Sequence, residues 1–160
     1  MTTPVQIWLC AVHHPAFRCG GWASLRSASG QVTGAAGGAR NTTAQRMALA
    51  GLVSALRDLP PAGDSNTIRI LTSSIDPASL GDVLAGRAQP EEDLDLWAQI
   101  AAAAKAWRLE VVRAPAGPDT PVDFATAWAN LAMDKAKATG PFTAAIPKAN
   151  LAKAPGLGVR

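Results

Sequence analysis

Two adjacent histidines, His13 and His14, are the first residues in this sequence whose type and spacing suggest chemistry. They follow a run of apolar residues, and neighbouring imidazoles can bind a metal ion or a phosphate group. A metal site needs further protein ligands, however, and no third ligand stands near the pair in the sequence. Because Pro15 follows directly and breaks regular structure, the pattern favours a turn over a metal site.

The remaining candidates for chemistry are two cysteines and three isolated aspartates. Cys10 and Cys19 are too few for a disulfide framework, and Cys10 lies within an apolar strand, where a thiol packs as a small hydrophobic group. Asp76, Asp123 and Asp134 could hold a relocated metal ion. Each of them lacks an acidic neighbour three or four residues further on, so a solvated helix surface is favoured. No cofactor and no metal are expected from these residues.

The elements that would position these side chains follow from hydrophobic periodicity. Val5–Val12 is almost entirely apolar, which indicates a central strand covered on both faces. Thr42 or Thr43 would cap a helix in which apolar residues recur at helical spacing. The other predicted elements are two hairpin arms, two further strands and three helices: Trp22–Ser27, Gln31–Ala36, Thr67–Thr72, Leu109–Val112, Pro77–Leu84, Glu91–Trp107 and Val122–Ala138.

This order of elements predicts an α/β fold. An antiparallel meander followed by strands that are joined through helices gives a five-stranded mixed sheet with helices on both faces. Val5–Val12, Thr67–Thr72 and Leu109–Val112 would be neighbouring parallel strands. Residues 1–139 would form this domain, and residues 140–160 a C-terminal tail with several prolines and glycines, either mobile or laid as a strap over the body.

Composition and charge limit the function classes. At 160 residues the chain suffices for one domain, and 48% hydrophobic with 17% charged residues excludes a disordered polyelectrolyte. No apolar run reaches the roughly 20 residues that span a bilayer, and no secretory signal is recognisable, so we expect a cytoplasmic protein without a membrane partner. The net charge of +3 comes from scattered basic residues and supports a nucleic-acid partner only weakly.

Several short motifs occur in the order and spacing of one known family. Gly20-Gly21-Trp22-Ala23 would open the second strand, and Thr42-Thr43-Ala44-Gln45-Arg46-Met47 the first helix. Leu71-Thr72-Ser73-Ser74 would end the fourth strand, and Asp95-Leu96-Trp97 matches a helix start. From about Val5 to Ala138 the chain resembles type 1 ribonuclease H. The resemblance implies a ribonuclease H-like fold and, in active members, two-metal phosphodiester hydrolysis.

The resemblance also implies four metal-binding carboxylates, on the first strand, on the first helix, at the end of the fourth strand and just before Leu131-Ala132. The residues at those positions are Cys10, Ala48, Ser73 and Ala129. A thiol, a hydroxyl and two methyl groups do not supply the oxygen ligands that hard divalent cations need. The loop that would carry a proton-shuttling histidine reads Ala114-Pro115-Ala116-Gly117-Pro118. The resemblance therefore implies a degenerate member without catalytic residues, bound metal or nuclease activity.

Part of the family's surface for hybrid duplexes remains. The residues expected to contribute are Thr43, Gln45 and Arg46. Asn41 stands where an arginine would contact phosphate, and Ala44 where an amide would read the RNA strand. The basic protrusion of some members is reduced to Leu84–Glu92, where Arg87 is outnumbered by acidic residues. The resemblance therefore implies that any binding of nucleic acid is weak.

Three functions remain open on the sequence alone. The first is a catalytically inactive ribonuclease H-like scaffold or interaction module, with a protein partner or a second copy of the chain. The second is non-catalytic binding of RNA or an RNA–DNA duplex, and the third is a metal-dependent nuclease with relocated ligands. The placement of six arginines distinguishes the first two functions. If these arginines share one face of the protein, binding of nucleic acid is favoured, and if they are dispersed, the scaffold is favoured. The six are Arg18, Arg26, Arg40, Arg46, Arg69 and Arg113.

Overall fold

The computed structural model describes residues 5–28, 30–59, 66–114 and 120–155. The elements in these ranges are β1 (Val5–His14), β2 (Cys19–Ala28), β3 (Gln31–Ala39), α1 (Ala44–Leu56), β4 (Thr67–Thr72), α2 (Pro77–Leu84), α3 (Leu94–Ala104), β5 (Arg108–Arg113), α4 (Pro121–Thr139), β6 (Phe142–Ala145) and α5 (Lys148–Leu151). None of the described helices has the length and the apolar character needed to cross a membrane.

The strands form one mixed sheet in the order β5-β4-β1-β2-β3-β6. β1 pairs in parallel with β4, where Leu9 lies opposite Thr72, and β4 pairs in parallel with β5. On the other side of β1, β2 and β3 continue the sheet as an antiparallel hairpin. The predicted mixed sheet and its three neighbouring parallel strands are confirmed.

The expectation of five strands is wrong, because a sixth strand forms within residues 140–160, for which a tail is predicted. Gly140 ends α4 with a φ of 95°, a conformation that favours glycine, and the chain then runs antiparallel to β3 as β6. The amide of Ile146 also donates to the carbonyl oxygen of Gly34 at 2.9 Å. β6 carries no strong apolar pattern of its own and depends on the edge of β3 for its hydrogen bonds.

Helix α3 begins at Leu94, three residues later than the predicted start at Glu91. Asp93, which precedes it, adopts the left-handed conformation with a φ of 57°. A residue in this conformation cannot belong to a right-handed helix, so the periodic pattern overestimates the length of α3.

Alternation of side chains along β1 divides the core between the two faces of the sheet. Ile7 and Leu9 pack with large aliphatic residues of α1 and α3, whereas Trp8 and Cys10 belong to a second cluster under α4. The residues that α4 buries are all alanines: Ala125, Ala129, Ala132 and Ala136. The helices on the two faces therefore contribute buried side chains of very different size.

Small residues on α4 and on the hairpin of β2 and β3 bring the helix close to the sheet. A Cβ atom added at Gly21 would collide with the carbonyl oxygen of Ala129 and lie 2.6 Å from the amide nitrogen of Met133. A Cβ atom at Gly38 would lie 2.6 Å from the carbonyl oxygen of Ala132. Because these atoms belong to the helix backbone, they cannot move aside as a side chain can. The two glycines therefore set the distance between α4 and the sheet.

Candidate functional site

The carboxyl end of β4, where β4 meets the middle of β1 and α4, is the region to which the resemblance assigns chemistry. Cys10 is 8% exposed there and belongs to the cluster under α4. Thr126 of α4 places its Oγ1 atom 3.1 Å from Cys10 Sγ. The same hydroxyl donates to the carbonyl oxygen of Val122 at 2.7 Å, a common bond for a threonine within a helix. This bond keeps Thr126 facing the thiol.

Ser74 completes the group from the side of β4. Its backbone amide donates to Thr72 Oγ1 at 2.9 Å, just beyond the end of the strand. Its side-chain Oγ accepts from the backbone amide of Ala11, the residue after Cys10, at 3.0 Å, and this hydroxyl helps to lower the pKa of the Cys10 thiol. Cys10, Ser74 and Thr126, which we call the neutral cluster, thus consist of one thiol and two hydroxyls.

The neutral cluster does not fit a pair of divalent cations. Burial raises the pKa of the Cys10 thiol, and the hydrogen bonds with Thr126 and Ser74 offset only part of this effect. The thiol therefore stays protonated at neutral pH, whereas the thiolate is the form that binds metals and acts as a nucleophile. Two hydroxyl oxygens without negative charge are a poor ligand set for cations that lie about 4 Å apart and repel each other.

The four positions where the resemblance implies metal-binding acids have different surroundings. Ala129 shares the cluster of Cys10 but is fully buried beside Gly21, and Ala48 is buried on α1. Ser73 is exposed to solvent. The polar side chains next to Cys10 are therefore those of Ser74 and Thr126, whereas Ser73 is exposed and Ala129 contributes only apolar packing. Of the loop expected to lack a histidine, Ala114 is buried, and residues 115–118 lie outside the described ranges.

Sequence reasoning missed Thr126 because a short motif was used to place the last helix. Thr126 precedes Ala129 by three residues, which is nearly one turn on the same face of α4. The motif Leu131-Ala132 therefore pointed to a buried position one turn beyond the residue that faces Cys10. A single polar residue within an otherwise alanine-lined face was the signal that could have identified Thr126.

The aspartates considered as relocated ligands lie apart from one another. Asp76 is the N-cap of α2, where Oδ2 accepts from the amide and the hydroxyl of Ser79 at 3.2 and 2.9 Å. Asp123 lies in the first turn of α4, and Asp134 is exposed near the other end of the same helix. Within the described residues, no group of three or more histidines, cysteines or acids is placed to hold a metal ion.

The residues expected to bind a hybrid duplex are engaged within the protein, with one exception. Thr43 is the N-cap of α1, and its Oγ1 accepts from the amide of Arg46 at 3.0 Å. The Arg46 guanidinium donates to both carboxylate oxygens of Asp95, at 2.9 and 3.1 Å, and to Asp93 at 2.9 Å. Gln45 is the exception, because its side chain is exposed.

These ion pairs change the charge that Arg46 presents. Hydrogen bonds with Asp95 and Asp93 raise the pKa of Arg46, and the bonds from Arg46 lower the pKa of the Asp95 carboxyl. The Asp93 side chain is only 9% exposed, while that of Arg46 is 41% exposed. One cation facing two carboxylates leaves a locally negative site, which is unfavourable for a phosphate group.

Two more of the six arginines hold helix ends. Arg26 donates to carbonyl oxygens at the C-terminus of α1 at 2.8 and 2.6 Å, and Arg40 donates to those of α4 at 3.1 and 2.8 Å. Positive charge at a helix C-terminus is favourable because it opposes the helix dipole. Arg18, Arg69 and Arg113 are exposed. The three engaged arginines therefore lie at three different helix ends.

The two histidines diverge instead of converging on a ligand, and the predicted turn after them is confirmed. His13 Nε2 lies 2.9 Å from the carbonyl oxygen of Thr42, whereas the ring of His14 contacts that of Phe17, with 4.9 Å between centroids. Phe17 is 56% exposed, and the Nζ atom of Lys137 lies 3.6 Å from the centre of its ring. This turn therefore presents an aromatic ring beside a cation.

A groove with a volume of about 470 Å³ opens next to the neutral cluster, between the start of α1, the β4–α2 turn and α2. Ala48, Leu80 and Trp97 contribute to its apolar lining. Its polar residues are Gln45, Ser74, Asp76, Ser79, Asp82 and Gln89. Ser74 belongs to both the groove and the neutral cluster, so the two sites are adjacent but differ in charge.

No protein-family model and no curated protein matches this sequence. Among solved structures, the chain is similar to the N-terminal ribonuclease H domain of Rv2228c from Mycobacterium tuberculosis, determined as a fusion with maltose-binding protein. The sequence identity is 20% and the TM-score 0.60, over 86% of this chain and 97% of that chain. Together with the mixed sheet and its order of elements, this similarity shows that the chain has a ribonuclease H-like fold.

Proposed function

We propose that this protein is a ribonuclease H-like domain that does not hydrolyse nucleic acid and serves as an interaction or scaffold module. The observation that carries the proposal is the neutral cluster, Cys10, Ser74 and Thr126, at the carboxyl end of β4. The family resemblance implies a group of carboxylates at this place. Without negative charge, a two-metal mechanism lacks the ligands that bring two cations together.

The state of the residues that the resemblance assigns to duplex binding argues against catalysis on a hybrid duplex. Arg46 faces two carboxylates, and Thr43 caps a helix. The partner of such a module would be another protein or a second copy of the chain. A pull-down from native extract, with and without nuclease treatment, separates protein partners from those that are held through nucleic acid.

The catalytic part of the proposal is tested with a labelled RNA–DNA hybrid in magnesium and in manganese. The purified protein should yield no cleavage product with either ion. The matched control is the double variant Asp76→Asn, Asp123→Asn, which should behave like the wild type. Cleavage by the wild type that the double variant loses would contradict the proposal and show that the metal ligands have moved.

One surface favours a second function, the non-catalytic binding of RNA or an RNA–DNA duplex. Phe17 is exposed with Lys137 beside its ring, and Arg18 is exposed next to it in the chain. Aromatic rings and cations are the groups that stack on bases and contact phosphates. In this case Phe17→Ala combined with Lys137→Ala should weaken binding about tenfold at low salt. An unchanged affinity in a gel-shift titration would remove this second candidate.

A further inference from the structure

Charge is distributed unevenly along this chain. Six of its 12 acidic residues lie between Asp76 and Asp95, a segment that contains a single basic residue, Arg87. The segment therefore has a formal charge of −5, although the whole chain has a net charge of +3. The six acids are Asp76, Asp82, Glu91, Glu92, Asp93 and Asp95.

Two of these acids line the groove beside the neutral cluster, and two more follow a lining residue directly in the chain. Asp76 and Asp82 line the groove, and Glu91 and Glu92 are exposed immediately after Pro90, another lining residue. The basic side chains that contact these acids are already paired. Arg87 binds Asp82 at 2.9 Å, and Arg46 binds Asp93 and Asp95. A concave surface with this excess of carboxylates concentrates negative potential and attracts cationic ligands.

The groove also offers an apolar floor, which a purely ionic surface would not have. Leu80 and Trp97 are buried there, and Ala44 and Ala88 line the groove as small side chains that leave room for a ligand. A volume of about 470 Å³ lies in the range of sites that hold small ligands or a few side chains. The floor could therefore accept an apolar side chain between charged neighbours.

Trp97 supplies an independent indication of a ligand. The residue is 9% exposed, and its indole Nε1 has no hydrogen-bond partner in the described part of the chain. A buried N–H group without an acceptor is unfavourable. Trp97 is one of the residues that line the groove, so the residue with this unpaired N–H is part of the proposed site. Binding should therefore change the surroundings of this indole.

We infer that the groove binds a basic peptide segment of a partner protein. An apolar side chain of the peptide packs on the floor, its lysines or arginines lie beside Asp76 and Asp82, and a backbone carbonyl accepts from Trp97. The inference rests on the proposed interaction function and names the chemistry of the partner. A nucleic-acid strand does not fit this groove, because its phosphates would meet the acidic segment.

The experiment uses the full chain and two short labelled peptides of equal length, one of alternating lysine and leucine, the other of alternating glutamate and leucine. Fluorescence anisotropy should show binding of the lysine peptide only, with an affinity that falls as salt screens the charges. Binding of both peptides alike would overturn the inference, because apolar contact alone would then explain it. The same holds if neither peptide binds.

Variants locate the binding site. Asp82→Lys should lower the affinity for the lysine peptide about tenfold, because it removes a favourable charge and adds a repulsive one. Asp134→Lys makes the same charge change at an exposed position of α4 outside the groove and should leave the affinity nearly unchanged. Equal losses in the two variants would show unspecific attraction and overturn the inference.

A steric variant tests the groove without altering its charge. Ala44 lines the groove and is exposed at the start of α1, so Ala44→Trp should fill the space while leaving the fold intact. Its melting temperature should match that of the wild type, while binding of the lysine peptide should fall at least as much as in Asp82→Lys. Unchanged binding would place the peptide elsewhere and contradict the inference.

Trp97→Phe tests whether the indole of Trp97 donates to the bound peptide and whether its fluorescence reports binding. The wild-type indole emission should shift on binding of the lysine peptide, and the shift should be absent in Trp97→Phe. A shift of equal size in this variant would show that other tryptophans report the binding and would remove Trp97 from the site.

The inference and the proposed function fail in different ways. Cleavage of the hybrid together with peptide binding would refute the proposed function and leave the groove assignment intact. No cleavage and no peptide binding would refute the groove assignment alone. A dimer in sedimentation analysis that Asp82→Lys abolishes would assign the groove to a second copy and overturn the assignment to a partner peptide.

Discussion

The neutral cluster and the groove lie side by side at the carboxyl end of β4, yet they differ in packing and in charge. On the side of α4, glycines and alanines bring the helix backbone against the sheet, and the polar side chains next to Cys10 are the hydroxyls of Ser74 and Thr126. On the side of α1, a groove remains open and Asp76 and Asp82 line it. Acids are thus present at this end of the molecule, but around the groove and not around Cys10. We therefore propose that the ribonuclease H-like fold is kept here with the implied metal-binding region closed and an adjacent surface open.

The two sides should respond differently to substitutions. The side of α4, which we call the closed side, should tolerate neither added charge nor added volume, because each group there is in contact with backbone or buried side chains. The side of the groove, which we call the open side, should tolerate added charge and added volume with little loss of stability.

Cys10→Asp is expected to have the largest effect. The carboxylate would be buried without a cation, which should cost about 3 kcal/mol or more of unfolding free energy at pH 7. Burial raises the pKa of such a carboxyl, so the loss is greatest above the raised pKa and shrinks as the pH falls and the group is protonated. Denaturant unfolding at several pH values measures this dependence.

The control for this variant is Cys10→Ser, which introduces a polar group without charge. Its cost should be smaller and independent of pH below neutrality. Equal stability of Cys10→Asp and Cys10→Ser at pH 7 would contradict this expectation. A cation at the neutral cluster would then compensate the charge of the introduced carboxylate.

Gly21→Ala should have the next largest effect, about 3 kcal/mol, at the upper end of the usual range for overpacking. The added methyl group meets backbone atoms of Ala129 and Met133, which move only if α4 moves as a whole. Gly81→Ala is the matched control, because no atom lies within 4 Å of a Cβ at this helical position. It should stabilise the protein by roughly 0.5–1 kcal/mol. Thermal melts that show similar changes for both variants would contradict the close packing of α4.

On the open side, Arg46→Ala should cost about 1–2 kcal/mol, because the buried Asp93 carboxylate loses its charged partner. Arg87→Ala removes the pair with Asp82, whose two side chains are both about half exposed or more, and should change stability by less than about 0.5 kcal/mol. Chemical unfolding of both variants makes the comparison. Equal costs would mean that Asp93 is not buried as described.

The smallest effect concerns pH. Hydrogen bonds from Arg46 lower the pKa of the Asp95 carboxyl below its ordinary value of 3.8. The stabilisation is therefore fully present above that ordinary value and is lost as the pH falls through the lowered pKa. Asp95→Asn should remove this part of the acid destabilisation. If the pH profile of stability is identical in the wild type and in this variant, the ion pair between Arg46 and Asp95 does not contribute to stability.

The sheet was predictable because its central strands carry continuous apolar patterns, which only a sheet covered on both faces requires. β6 was not, since Phe142–Ala145 is short and mostly exposed and is held by the edge of β3. The site was predictable as far as Cys10, which lies in a clear strand. Ser74 lies beyond the end of β4, where the alternation of strand side chains no longer applies, and Thr126 differs from Ala129 by one helical turn. Whether Ser73 or Ser74, and whether Thr126 or Ala129, provides the polar neighbour of Cys10 depends on tertiary contacts and not on the local sequence pattern.

Manganese titration followed by NMR tests the central claim most directly, because bound Mn²⁺ broadens the signals of nearby nuclei. The amide signals of Cys10, Ser74 and Thr126 should broaden no more than those of exposed residues remote from both sites, such as Thr139 at the C-terminal end of α4. Selective broadening of these three amides at low metal concentration would show that the neutral cluster binds a divalent cation, and would contradict the account of a ribonuclease H-like fold with a closed metal-binding region.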